Sequence, residues 1–239
     1  MKILVTGATS GIGRQLAVDY HHEGHEVWAI GRNPEALTEL GGQGLHTAAL
    51  DLTDRETSLA WFATLDSLDL AILNAGTCEY VDMPEFDSAL VARVMRANVE
   101  SLAISIEGVL PLLRRGNRPH LVGVGSSAAY LPLPRAEAYG ASKAAVAYML
   151  DTLRLALVRE KIFVSLVCPG FVQTPLTDRN DFPMPFRVTT ETASMAIRRG
   201  IDRRQMEIHF PKRFTYLLKI LSLLPRALWC RLAQKMRRN

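Results

Sequence analysis

An apolar run, Ile3-Leu4-Val5-Thr6, leads into Gly7-Ala8-Thr9-Ser10-Gly11-Ile12-Gly13, and a helical pattern, Ile12-Leu16-Ala17-Tyr20, starts before the glycines have ended. Few local sequences constrain a fold as tightly. A turn this sharp between strand and helix needs backbone conformations that glycine adopts freely. The missing Cβ atoms also let a pyrophosphate rest on the helix N-terminus, where unpaired N–H groups favour an anion. Gly7, Ser10, Gly11, Ile12 and Gly13 are therefore expected to cradle the phosphates of a nucleotide cofactor, with GxxxGxG spacing in place of the usual GxGxxG fingerprint.

Short apolar runs recur at residues 3–6, 26–30, 45–50, 68–73, 120–125, 163–167 and 207–210, separated by stretches with helical spacing. Such alternation predicts an α/β fold, a parallel sheet of seven strands with helices on both faces. A chain of 239 residues, 48% of them hydrophobic, can bury one full core, and no repeat or Gly/Ser linker marks a second domain. Thr53 and Glu56 have capping-box spacing and are expected to start the helix after the third strand.

In sheets of this kind ligands gather beyond the carboxyl ends of the strands. An NAD-binding unit usually carries a carboxylate at the end of its second strand for the ribose hydroxyls. Here that place reads Ile30-Gly31-Arg32-Asn33. With no acid to repel a 2′-phosphate and Arg32 available to pair with it, the site is expected to prefer NADPH to NADH. Asp51, after the third strand, and Asn74-Ala75-Gly76, after the fourth, fall in the same region.

Tyr139 and Lys143 stand four apart at the head of a strongly helical pattern, which puts phenol and ammonium on one face, one turn apart. A free tyrosine, with a pKa of about 10, is a poor acid–base catalyst near neutrality; a neighbouring ammonium favours its ionised form.

Taken in order, Thr6-Gly7 to Gly13, Asp51, Asn74-Ala75-Gly76, Asn98, Ser126, Tyr139-x-x-x-Lys143 and Cys168-Pro169-Gly170 with Thr174 resemble the classical short-chain dehydrogenase/reductase family, from residue 2 to about residue 211. The resemblance implies a single Rossmann-like, doubly wound domain with strand order 3-2-1-4-5-6-7. It also implies hydride transfer between a nicotinamide and a carbonyl or alcohol. Tyr139 would be the general acid, Lys143 would lower its pKa and hold the nicotinamide ribose, Ser126 would bind the substrate oxygen, and Asn98 would hold a water of the proton relay. Ser126 is preferred to Ser127 because it precedes the tyrosine by the family's usual 13 residues. Asn98 lies inside the apolar helical run Val91 to Leu112. Beyond the turn at Pro169-Gly170, Val172 and Thr174 would meet the cofactor, Thr174 at the carboxamide or a phosphate; alternatively Thr174 caps the segment beyond Pro175. Ser10 stands where many NADP-using relatives carry a basic residue, so the NADP preference rests on Arg32.

The segment between Thr174 and Thr189, a substrate lid in the family, offers Leu176, Phe182, Met184 and Phe186, which suits a small to medium apolar carbonyl or alcohol. A homodimer or homotetramer is the implied assembly. A non-catalytic NADP(H) sensor or scaffold, or an epimerase or dehydratase on the same fold, is the alternative function.

Three scattered cysteines without a CxxC pair argue against a disulfide framework and a structural zinc site, and no metal is expected. No signal-peptide pattern opens the sequence and no run of about 18 apolar residues occurs in it, so a cytoplasmic location is expected. Charge is lopsided: residues 198–239 hold 12 Lys or Arg against Asp202 and Glu207. Residues 212–239 read as a basic amphipathic extension of the 1–211 domain, with Phe214, Leu217, Leu221, Leu224, Leu228 and Leu232 in an apolar stripe and Pro225 opening a second helix. Packing on protein is the favoured reading of that stripe and peripheral contact with an anionic membrane the alternative; nucleic-acid binding is not expected, since no reading helix accompanies the charge.

Overall fold

The computed structural model describes residues 1–234. In chain order the first half comprises β1 Lys2–Thr6, α1 Gly11–His22, β2 Glu26–Gly31, α2 Pro34–Gly42, β3 His46–Ala49, α3 Arg55–Phe62, β4 Leu70–Leu73, α4 Ser88–Met95 and α5 Ser101–Leu113. The second half adds β5 His120–Val124, α6 Glu137–Leu157, β6 Phe163–Pro169, α7 Thr190–Asp202, β7 Glu207–Phe210, α8 Lys212–Leu221 and α9 Arg226–Gln234. The described strands form one seven-stranded parallel sheet in the order β3-β2-β1-β4-β5-β6-β7, with Val5 of β1 opposite Ala29 on one side and Ile72 on the other.

Successive residues of a strand point to opposite faces, and β1 shows the consequence. Ile3 and Val5 join Leu16 and Tyr20 of α1, Leu40 of α2 and Ile197 of α7 on one face. Leu4 joins Phe62 of α3, Leu112 of α5 and Leu150 of α6 on the other. Every residue of β4 and β5 is buried, as expected of central parallel strands covered by helices on both sides.

The structure corrects several expectations. β3 and β4 are shorter than the apolar runs that announce them, because Leu45, Leu50 and Leu68 are buried core residues lying just beyond the paired segments. The cap of α3 is Asp54, whose carboxylate accepts from Thr57 N at 3.2 Å and Thr57 Oγ1 at 2.6 Å. Thr53 instead donates through its N–H and hydroxyl to Asp51, so the expected capping box does not form. The run Val91–Leu112 is not a uniform α-helix: α4 and α5 are joined by a wider π turn at Arg96–Glu100.

The tail is corrected as well. Phe214, Leu218 and Trp229 are buried against Leu131, with Tyr130, Leu133 and Phe171 packed around them. Trp229 Nε1 donates to Pro132 O at 2.8 Å. Glu207 of β7 accepts from Tyr130 Oη at 2.5 Å and pairs with Lys219 of α8, which fixes this segment to the sheet. Leu217, Leu228 and Leu232, expected in the packed stripe, are exposed, because the apolar surface offered by the body meets the neighbouring face of each helix. Pro225 precedes α9, its carbonyl accepting from Leu228 N and Trp229 N, so it caps the helix and is not its first residue. Residues 235–239 of the expected extension lie outside the described residues. Among the described residues no helix is long and apolar enough to cross a membrane.

Candidate active site

The glycine turn is built against the end of β4. Thr6 Oγ1 accepts from Asn74 N at 3.0 Å and Ala75 N at 3.1 Å, and Asn74 Nδ2 donates back to Thr6 O and Gly7 O at 3.2 and 3.3 Å. Gly7 has φ of +65°, where a side chain is strained. A Cβ on Gly13 would stand 2.3 Å from Gly7 O and 2.5 Å from Asn74 Nδ2, so only glycine lets the helix approach. Gly11 completes the turn at the start of α1. Ser10, the residue capping α1, makes no side-chain bond to the helix, and the first turn carries no acid. Amide donors at this helix end are thus left for an anion, and the cradle fits the pyrophosphate of a dinucleotide.

At the end of β2, Arg32 is exposed and its charge reaches Asp51. Hydrogen bonds from Thr53, first the N–H and then the hydroxyl, hold the Asp51 carboxyl below the usual carboxylate range; Arg32 and Arg96 add to the effect. A Cβ on Gly31 would lie 2.4 Å from Thr9 Cγ2, so the glycine turn itself fills the space a carboxylate side chain would need there.

Between the carboxyl ends of β1, β4, β5 and β6 lies a cleft with about 550 Å³ of open space. Ile12, Asn74, Gly76, Ser126, Tyr139, Lys143, Pro169, Gly170, Val172 and Thr174 line it, residues from five distant parts of the sequence. Gly7, Ser10, Gly11, Gly13, Arg32, Asp51, Ala75 and Asn98 are not in its wall; the turn, the segments after β2, β3 and β4, and the π turn hold them around it.

Ser126 ends the segment after β5 in an extended conformation, its hydroxyl accepting from Ala128 N at 3.1 Å, and it faces the cleft; Ser127 is buried behind it. Tyr139 sits in the first turn of α6 and Lys143 one turn later, the Nζ 5.9 Å from the centre of the phenol ring. Burial lowers the Lys143 pKa to about 8, and its ammonium donates to Val124 O at 2.9 Å. Burial pushes the Tyr139 phenol above its ordinary value, and proximity to Cys78 adds to this; a hydrogen bond with Ser126 pulls it back. The downward pull therefore comes from Ser126, whereas sequence spacing alone points to Lys143.

Asn98 is fully enclosed in the π turn. Its Oδ1 accepts from Thr77 N at 2.7 Å, and its Nδ2 donates to Thr77 O at 2.9 Å and to Ser142 Oγ at 2.8 Å. The side chain clamps the segment after β4 to α6. The wider turn is what lets a helix residue reach both, and such turns recur at functional sites.

Sequence reading missed Thr77, Cys78, Thr177 and Arg187. Thr77 and Thr177 line the cleft, and Cys78 is half-buried beside it, its thiol pushed up by burial. Thr177 Oγ1 donates to Val172 O at 2.5 Å and accepts from Arg187 Nη2 at 3.1 Å, while Arg187 also pairs with Asp178. Thr174 and Thr177, three apart after a proline, carry the available signal: hydroxyls at that spacing bond to local backbone and shape turns. Thr174 lines the cleft and also accepts from Thr177 N at 3.3 Å, in the turn beyond Pro175.

Residues 1–182 match the family described as short chain dehydrogenase. An uncharacterized oxidoreductase of Myxococcus xanthus is 34% identical over 244 residues, covering 98% of this chain and 96% of that one. A 3beta-hydroxysteroid dehydrogenase of Mediterraneibacter gnavus is 32% identical, covering 78% and 71%. Among solved structures, a short chain dehydrogenase from Burkholderia cenocepacia in complex with NADP superposes with a TM-score of 0.86 at 25% identity, over 97% of this chain and 96% of that one.

Proposed function

The chain belongs to the short-chain dehydrogenase/reductase family, oxidoreductases of CH–OH and C=O groups, and from that premise we propose that it uses NADP(H) in preference to NAD(H) on a rather apolar substrate, with Tyr139 as general acid and base. The observation that carries this reading is the common wall of Ser126, Tyr139 and Lys143 in a cleft that also contains Asn74, Pro169, Gly170 and Thr174.

When bound, the nicotinamide cofactor supplies or receives the hydride. Gly7, Gly11, Gly13 and the N-terminus of α1 hold its pyrophosphate, Arg32 pairs with the 2′-phosphate, and Thr174 orients its reactive end. Ser126 donates to the substrate oxygen. Tyr139 Oη gives that oxygen a proton in reduction and takes it back in oxidation, a contribution of about 10² to 10⁴ in rate for a positioned acid. Lys143, held near a pKa of 8, anchors the nicotinamide ribose and returns the proton, and Asn98 keeps the relay and α6 in place. Arg32 and the NADP complex of the Burkholderia relative support the cofactor preference.

The mouth is apolar. Phe182 meets Tyr80 edge-on at 5.4 Å and Phe171 at 6.1 Å, and Leu176 lines the cleft. Arg135 ties this lid to the facing loop through Asp181 and Asp82. These surroundings, with the name of the Mediterraneibacter relative, favour an apolar alcohol or ketone. Exposed Tyr148, Leu155 and Val158 on and just after α6 offer an apolar strip that a dimer or tetramer would cover.

A panel of aldehydes, ketones and alcohols, hydroxysteroids included, assayed with each cofactor by nicotinamide absorbance tests the reading. Turnover faster with NADP(H) is the expected result. Saturable NADPH binding without turnover of any member is what a nucleotide sensor would give.

A further inference from the structure

The α8–α9 segment has two apolar faces, and the body of the protein covers one. Phe214, Leu218 and Trp229 are buried, while Tyr216, Leu217, Ile220, Leu223, Leu228 and Leu232 face outward, Ile220 at 64% and Leu223 at 83% exposure. On α8 the uncovered residues recur at 216, 217 and 220, the spacing of a single helical face, and Leu223 follows in the turn just beyond its end. An uncovered strip of large aliphatic side chains marks an interaction surface.

Charge selects the partner. From Ile208 to Asn239 the chain contains eight Lys or Arg and no Asp or Glu, and Arg213, Arg226 and Arg231 stand among the exposed apolar residues. A second copy joined through this face by a two-fold axis would bring those cations opposite one another with no acid to offset them. An anionic lipid surface provides both complements, acyl chains for the aliphatic strip and headgroups for the cations. We propose that the outer face of α8–α9 docks on anionic membranes, lying in the interface without crossing it.

Docking there has a geometric consequence for the cleft. Phe214 of α8 contacts Phe171 at 5.4 Å and Phe186 of the lid at 6.3 Å, so the lipid-facing helix and the substrate mouth share one end of the molecule. An apolar substrate could pass from the bilayer to the lid without crossing bulk water. This second statement rests on the apolar-substrate reading above; the docking does not.

The test is co-sedimentation of the full chain with phosphatidylcholine vesicles, with and without phosphatidylserine, at low and high salt, alongside light scattering for assembly state. Two variants accompany the wild type, Ile220→Glu with Leu223→Glu and Arg213→Gln with Arg226→Gln. All four positions are exposed and outside the cleft, so NADPH binding and melting temperature serve as folding controls. The expected result is binding to phosphatidylserine vesicles only, lost at high salt, weakened roughly fivefold for each arginine removed and more than tenfold by the two glutamates. Absence of vesicle binding, equal binding to neutral vesicles, or retention by the glutamate variant overturns the proposal. An oligomer that the glutamates dissociate, with no vesicle binding by the wild type, makes a second copy the occupant and overturns it too. Failure of the substrate panel leaves the vesicle result unaffected, so the two readings fail separately.

Discussion

Asn98 Nδ2 and Ser142 Oγ are 2.8 Å apart, and Ser142 Oγ donates onward to Tyr139 O at 2.7 Å, so a side chain on the π turn is fastened to the turn of α6 that bears the candidate acid. Asn98→Ala leaves the Thr77 N–H and carbonyl unpartnered. The expected loss is about 1 to 3 kcal/mol of stability, measured by denaturant titration, with turnover falling more than cofactor affinity. Ser142→Ala touches only the clamp and should lower turnover in the same direction. A double-mutant cycle is expected to show coupling of about 0.5 kcal/mol or more between the two sites; strict additivity would refute the clamp.

Tyr139→Phe removes the proton donor and preserves ring packing. Turnover on a verified substrate is expected to drop about 10² to 10⁴-fold while NADPH binding, followed by fluorescence titration, stays near wild type. Near-normal turnover in this variant would contradict the assigned role.

Arg32→Ala should weaken NADPH by about 1.5 to 3 kcal/mol, the scale of a hydrogen bond to a charged group, and leave NADH nearly unchanged. Gly31→Asp alone is not expected to create an NADH site, because its Cβ collides with Thr9; relief requires shortening Thr9 as well. Isothermal titration of the single and paired variants with both cofactors distinguishes these outcomes.

His120, buried in β5, gives a pH prediction. Ser165 Oγ donates to Gln205 O at 2.6 Å, so the proton in the 2.8 Å contact between His120 Nε2 and Ser165 Oγ belongs to the imidazole, which is neutral. Burial, assisted by Arg204, lowers its pKa from 6.5 to about 4. A depressed folded-state value means the unfolded chain binds the proton first. This contribution to stability is therefore complete above pH 6.5 and lost as pH falls towards 4, on the order of 3 kcal/mol. His120→Gln keeps an amide donor and cannot titrate. Its stability, by chemical denaturation across pH 4 to 7, is expected to change less steeply than that of the wild type; an unchanged slope would assign the acid sensitivity to other groups.

Apolar runs located the central strands because buried parallel strands are apolar on both faces, and the exposed edge strand β3 through the buried Leu45 and Leu50 that flank it; such runs report burial and not pairing. Leu45, Leu50 and Leu68 are the difference: they are buried in the core beyond the strand ends, Leu45 and Leu68 bonding to helix carbonyls and Leu50 donating one last N–H to Gly31 O of β2. Spacing brought Tyr139 and Lys143 onto one face of α6, since four residues make about one turn wherever that helix lies. The same logic could not choose between two apolar faces on α8 and α9, because the choice belongs to Leu131 and Phe171, which are distant in sequence. Nor could it show the π turn at Asn98, where one wider turn leaves the surrounding hydrophobic period almost unchanged. Asp54 and Thr53 are both good capping residues, and only the backbone path decides which one faces the helix.

The bond from Trp229 Nε1 to Pro132 O spans 97 residues of chain. A ribosome adding about 5 to 20 residues per second needs roughly 5 to 20 seconds to deliver that tryptophan after the proline has been made. For much of that interval Leu131, joined by Phe171 once that residue is made, lacks the cover that Phe214 and Leu218 of α8 and then Trp229 of α9 provide. The newborn protein thus presents a greasy spot beside the lid, and a chaperone that shields this spot during translation would be released by the arrival of α8 and α9.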